Sequence, residues 1–333
     1  MRLQPPMSSA RATARVLRVP RLGNLAARRE TIVLLLLVFG SIVFAATHPA
    51  FLSAPNVEQI LSNVAVIAIV AIGMTLVIVT GGIDVSVGST LALCMLVSAK
   101  VMASGGGVVP SLGAGIATGV VVGALNGALI AYGGVHPIII TLGTLNIIRA
   151  LHVGLLGPQW LTPPPVAKGL TESSLLGLPG PWWLVMMLGV VATYFVTRRP
   201  LGRAIYAVGG SSEAARLAGI NVRAVTFFVY ATMGALVGLA AFVQLGQSGT
   251  VQPNAGIGVE LGAIAATVIG GASILGGRGT IVGAVLGALL VEAVHNALIT
   301  IGTISLLEGL VVGVLILVAV GSDVLQHRRE RLT

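Results

Sequence analysis

Four carboxylates, Asp84, Glu260, Glu292 and Glu308, stand in or beside long apolar runs, where a charge is costly and faces a cavity or a partner. Asp84 belongs to "VTGGIDVSVGSTLAL" (79–93), preceded by Gly81 and Gly82 and followed by Ser86, Gly88 and Ser89. A glycine pair ends a helix at little steric cost, and Asp84 or Ser86 can accept backbone N–H groups at the start of the next one. The same groups could instead face a translocation path or the surface where a motor docks. Glu292 has His295 one turn on, a spacing that suits a structural pair or a proton relay. Glu260, after "QPNAGIGV", and Glu308 are expected at the outer ends of their spans. No H-E-x-x-H, nucleophile elbow or G-x-x-x-x-G-K-[ST] occurs, so enzymatic and nucleotide-binding readings have nothing to rest on. "GGASILGGRGT" (270–280) reads instead as a helix–helix turn with Arg278 as an inside anchor. Cys94, the single cysteine, is a packed apolar residue. No metal or cofactor is expected on this chain.

These residues have to be positioned by membrane helices. Mean hydropathy is +1.01, with 56% hydrophobic and 9% charged residues, far too little charge to cover a soluble chain of this length. Apolar stretches fall near 31–47, 57–80, 88–104, 109–132, 137–157, 181–197, 224–246, 258–275, 279–299 and 303–321. The expectation is an all-α polytopic membrane protein of about ten transmembrane helices. Residues 1–30, with seven arginines, read as a cytoplasmic arm rather than a signal peptide. Residues 31–321 form the transmembrane domain, interrupted by a cytoplasmic loop at 198–223, and 322–333 form a cytoplasmic tail. The predicted inside segments hold every arginine except Arg149, as the positive-inside rule requires with both termini cytoplasmic. The +9 charge is therefore a topology signal and not one for nucleic acid.

An internal repeat is visible. "GALNGALI" (123–130) is similar to "GAVLGALL" (283–290), and "HPIIITLGTL" (136–145) to "HNALITIGTI" (295–304). A duplication shifted by an odd number of spans gives two inverted five-helix repeats, a transporter architecture with the path at the repeat interface. Many of the 45 glycines are expected at close helix crossings, among them Gly113, Gly119, Gly123 and Gly127.

The soluble stretch "TRRPLGRAIYAVGGSSEAARLAGINVRAV" (197–225) contains a short helix. Ser211 or Ser212 caps it, Glu213 lies in its first turn, Arg216 follows at i+3 and Gly219 closes it. Ala214, Ala215, Leu217 and Ala218 are small or apolar enough to dock in a partner's groove.

With these segments in place, the chain resembles the permease subunits of bacterial carbohydrate ABC importers, the branch of the ribose, xylose, galactose, rhamnose and autoinducer-2 transporters. The resemblance covers roughly residues 50–321 and is carried by "GGIDVSVGS" (81–89), "GALNGALIAYGGVHPIIITLGTL" (123–145), "GRAIYAVGGSSEAARLAGINV" (202–222) and "GVELGAIAATVIGGASILGGRGT" (258–280). It implies a bacterial inner-membrane protein that translocates a small neutral sugar. It further implies a second permease copy or homologous permease, an ABC ATPase that hydrolyses ATP on a separate chain, and a periplasmic sugar-binding protein. Gly210 to Gly219 would touch the ATPase. Gly81, Gly82, Asp84, Ser86, Gly88 and Ser89, with Asn126, Thr141 and Asn146, are the candidates for the path or the break motif. "LLGPQWLTPPP" (155–165) resembles loops of the rhamnose and autoinducer-2 subgroup. The alternative is an ion-coupled secondary transporter using Asp84 or the Glu292–His295 pair, which would have no need of the 202–222 helix.

Overall fold

The computed structural model describes residues 22–165, 168–171, 173–302, 309–311, 313–314, 317 and 321. Residues 1–21, Glu308, most of the last predicted span and the tail lie outside this set. Helix α1 (Leu22–Thr47) begins inside the stretch expected as an arm. A 3-10 turn (Pro49–Leu52) leads to α2 (Ala54–Val79), followed by α3 (Val87–Ala103), α4 (Val108–Gly133) and α5 (Pro137–Leu156). After the short α6 (Lys168–Thr171), strands β1 (Ser174–Leu175) and β2 (Leu178–Pro179) pair antiparallel, the one departure from an all-helical chain among the described residues apart from a lone bridge between Leu161 and Val251. Then come α7 (Gly180–Arg198), α8 (Pro200–Gly210), α9 (Ser212–Leu217), α10 (Val222–Ser248), α11 (Val259–Ile269) and α12 (Ile281–Thr300).

Among the described residues, seven helices are long and apolar enough to cross a membrane: α1 from Arg29 on, α2, α4, α5, α7, α10 and α12. Large apolar side chains lie bare on their outer faces, such as Phe39, Val121, Ile147 and Val190, which suits hydrocarbon and not water. The protein is thus an α-helical, multi-pass membrane protein. Helix α2 forms the centre, sheathed by α7, α10, α11 and α12, and its run from Val64 to Val79 is almost wholly buried. Helix α10 also packs on α3 and α4, α3 on α5, and α1 on α12.

Glycine sets how close these helices come. On the α4–α10 seam, a methyl group at Gly119 would collide with the Gly234 carbonyl, one at Gly234 with the Gly119 carbonyl, and one at Gly123 with the Tyr230 carbonyl. Gly113, also expected at a crossing, meets nothing. On the α2–α12 seam, Asn56 and Asn296 exchange amide hydrogen bonds of 2.9 and 3.1 Å, the kind of polar contact that joins helices where water is absent.

Two elements differ from expectation. The predicted span at 258–275 contains only the 11-residue α11, because Gly270 and Gly271 end it. Gly271 has φ +99°, and Ala272 N–H reaches back to Thr267 O at 3.1 Å, a left-handed helix stop. The second repeat match also fails to align with the helices: His136 stands at the N-cap of α5, whereas His295 lies inside α12.

Candidate functional site

The segment 80–86 leaves α2 through the same kind of stop. Gly81 has φ +82°, and Gly82 N–H donates to Val77 O at 3.0 Å. Gly82 faces Tyr230, whose hydroxyl would lie 2.6 Å from an added methyl. Asp84 is buried, and its Oδ1 accepts the backbone N–H of Ser86 at 2.9 Å and the Ser86 hydroxyl at 2.6 Å. Asn126, from α4, donates to Ser86 Oγ at 2.9 Å. Ser89 Oγ donates to Ser86 O at 2.9 Å. Ser86 stands at the N-cap of α3, but its side chain accepts no helix N–H; its hydroxyl is spent on Asp84. The carboxylate therefore organises the break through Ser86 and does not cap further along the helix. From α5, Thr141 Oγ1 bonds back to Pro137 O at 3.0 Å and lies 3.3 Å from Ile83 O. Asn126 Oδ1 and Thr90 Oγ1 are buried here without a hydrogen-bond partner. Asn146 does not join them: it is exposed and bonds to Leu142 O in its own helix.

A second break, 249–258, separates α10 from α11 and meets the first. Gly88 packs so tightly on the Gly256 carbonyl and the Glu260 carboxylate that a methyl group there would collide with both. The N-termini of α3 and α11 thus come together, and the two helices diverge. Helix α3 ends at Ala103, with Met102 beside Leu245 and Thr250, whereas the turn after α11 reaches Gly209 of α8 through Gly276 and Gly277. With 11 residues, α11 is about 16 Å long, about half the thickness of a bilayer's hydrocarbon core.

Non-helical backbone within a membrane bundle needs partners from the protein. Arg149 donates to Ala255 O at 2.6 Å, and His152 Nε2 lies 3.0 Å from Gln252 O. Glu260 Oε1 accepts Gly258 N–H at 3.2 Å, and its charge attracts the Arg149 guanidinium. Glu260 is half-buried in the first turn of α11, with Oε2 turned inward against Gly88. The sequence reading did not assemble this group, although Arg149 was the one arginine off the charge pattern. Glu292 is buried in α12 with His295 half-buried a turn on.

The loop 198–223 folds as two helices, not one. In α8, Ile205 and Val208 turn inward, and Arg203 outward. Tyr206 OH donates to Gly279 O at 2.8 Å, and burial raises its pKa above the usual tyrosine value, which keeps it a donor. Ser211, not Ser212, caps α9, accepting Ala214 N–H at 3.2 Å. Gly219, φ +83°, closes it. Glu213 and Arg216 pair with each other at 2.7 Å in full exposure. Ser212, Ala214, Leu217 and Ala218 are exposed, Leu217 by 80%, but Ala215 is buried in the chain's own core and is not available to a partner.

Residues 56–320 match the family described as branched-chain amino acid transport system / permease component. The chain belongs to this permease family. Its relatives include the ribose import permease of Escherichia coli K12, 37% identical over 89% of this chain and 93% of the relative. The D-allose permease of the same strain is 34% identical over 84% and 87%. The autoinducer 2 import permease of Salmonella typhi is 32% identical over 81% and 78%. No solved structure matches this permease.

Proposed function

We propose that this permease is the membrane-spanning subunit of an ATP-driven importer for a small neutral sugar, working as a pair of permeases with an ABC ATPase and a periplasmic sugar-binding protein. The observation that carries the reading is α9. It is a capped surface helix that leaves Leu217 bare beside Ala214 and Ala218, a small apolar surface open to another chain. Gly210, Ser211, Ser212, Glu213, Arg216 and Gly219 frame that patch, and together they form the ATPase contact. The termini and this loop are cytoplasmic on the arginine pattern. The breaks at 80–86 and 249–258 border the path, with Asp84, Ser86, Gly88, Ser89, Asn126 and Thr141 holding its shape.

Ten spans in two inverted repeats are supported by the packing. Exchange α2, α3 and α4 for α10, α11 and α12. The pair α4–α10 becomes α12–α2, α3–α4 becomes α11–α12, and α3–α10 becomes α11–α2, and every one of these contacts exists. In both halves a long helix is followed by a break and then a short helix. Among the described residues, the peripheral α1 and α7 sit differently, on α12 and α2.

The named relatives carry ribose, D-allose and autoinducer 2, all small and polyhydroxylated, so the cargo class rests on them. A preference for rhamnose or autoinducer 2 rests on residues 155–165 alone. Reconstitution with the ATPase and binding protein in proteoliposomes tests the function. The expected result is uptake from a panel of ribose, allose, rhamnose and autoinducer 2 that requires ATP and ignores a protonophore. Uptake that ignores ATP and collapses with the proton gradient would replace this reading with the ion-coupled carrier.

A further inference from the structure

The turn 270–280 between α11 and α12 is in contact with nearly every element at its end of the molecule. Gly277 N–H donates to Val79 O, the last residue of α2, at 2.8 Å. Gly276 packs against Gly81 of the first break and against Gly209 of α8. Tyr206 of α8 donates to Gly279 O at 2.8 Å. A methyl group at Gly209 would collide with Val79 O and lie 2.7 Å from Gly277 N. From α1, Arg29 donates to Gly271 O at 3.2 Å, and Glu30 accepts the Thr280 hydroxyl, so both ends of the turn are clasped. Gly276 and Gly277 have φ of +88° and +73°, which only glycine adopts cheaply.

We propose that this turn is the relay between the docking helix and the breaks, with Tyr206 and Gly209 as its positioning residues. Gly209 and Gly210 lead directly into the Ser211 cap of α9, so a push on α9 reaches Gly209 with no flexible linker between. From there it has rigid contact with Val79 and Gly277. Val79 opens into the 80–86 break, and the turn leads back through α11 to the second break. One displacement thereby moves both breaks. Packed groups at backbone contact shift between discrete arrangements and do not deform gradually.

The inference rests on the proposed permease function, and the test separates the two. Complexes of permease, ATPase and binding protein are purified with the wild-type chain, Gly209→Ala, Tyr206→Phe and Gly119→Ala. ATP hydrolysis with sugar-loaded binding protein is divided by hydrolysis without it. Gly119→Ala strains an equally tight seam remote from the turn. We expect Gly209→Ala to lower the ratio about fivefold or more in complexes that still assemble, Tyr206→Phe to lower it less, and Gly119→Ala to reduce yield but not the ratio. Wild-type ratios in Gly209→Ala and Tyr206→Phe would overturn the relay, as would an equal fall in Gly119→Ala. If Gly209→Ala does not assemble, Tyr206→Phe decides, since it removes one hydrogen bond and no volume. A wild-type chain that binds no ATPase would overturn the function itself.

Discussion

Removing the Asp84 carboxylate leaves two buried donors without an acceptor, the N–H and the hydroxyl of Ser86. Each unsatisfied buried group costs about 1–3 kcal/mol. Asp84→Ala is therefore expected to lower both thermal stability in detergent and uptake, measured at matched membrane abundance. Asp84→Asn keeps one acceptor oxygen and should retain more of both. Normal uptake by Asp84→Ala would remove this carboxylate from the mechanism. Arg149→Ala takes a charged donor from Ala255 O, an interaction worth about 1.5–3 kcal/mol. Its expected signature is faster proteolytic cleavage within 249–258 in the purified protein. Unaltered cleavage there would mean that Arg149 does not hold the segment. The Glu213–Arg216 pair is different in kind. It is exposed on both sides, so breaking it should leave stability almost unchanged.

At the scale of elements, α9 makes the sharpest forecast, because Ala215 is buried while Ala218 is exposed. Ala218→Glu should leave insertion and stability intact while the ATPase no longer co-purifies. Ala215→Glu places a charge in the core and should cost the fold itself. If both variants bound the ATPase and transported normally, α9 would not be the contact. The sequence already carried much of this layout. Each predicted span up to 279–299 contains a helix, since each is a long apolar run bounded by glycine, proline or charge, while 303–321 lies mostly outside the described residues; the Ser-to-Gly limits of α9 were plain from its caps. Three things were not legible. Helix α8 was hidden because its glycines, Gly202, Gly209 and Gly210, mask an amphipathic pattern. The length of α11 was overread because hydropathy continues through Gly270 and Gly271 into a turn that is apolar but not helical. The group of Arg149, His152 and Glu260 depends on α5 meeting the 249–260 stretch, a contact between segments about a hundred residues apart that no local pattern encodes.

For the whole molecule, the even span count has a direct check. A reporter fused after Gly177 should be read outside and one fused after Gly210 inside; both on one side would break the ten-span arrangement and the inverted repeats with it. The meeting of α3 and α11 has a consequence of another sort. The backbone from 249 to 258 lies outside any helix and is mostly half-exposed, while the Val64–Val79 run of α2 is almost wholly buried. In a protein held in lipid nanodiscs, amide deuteration should therefore separate the two. Amides of 249–258 should exchange within the time that those of Val64–Val79 stay protonated. Substrate loading that slows the first set and leaves the second untouched would make isotope uptake a direct gauge of when the passage is occupied.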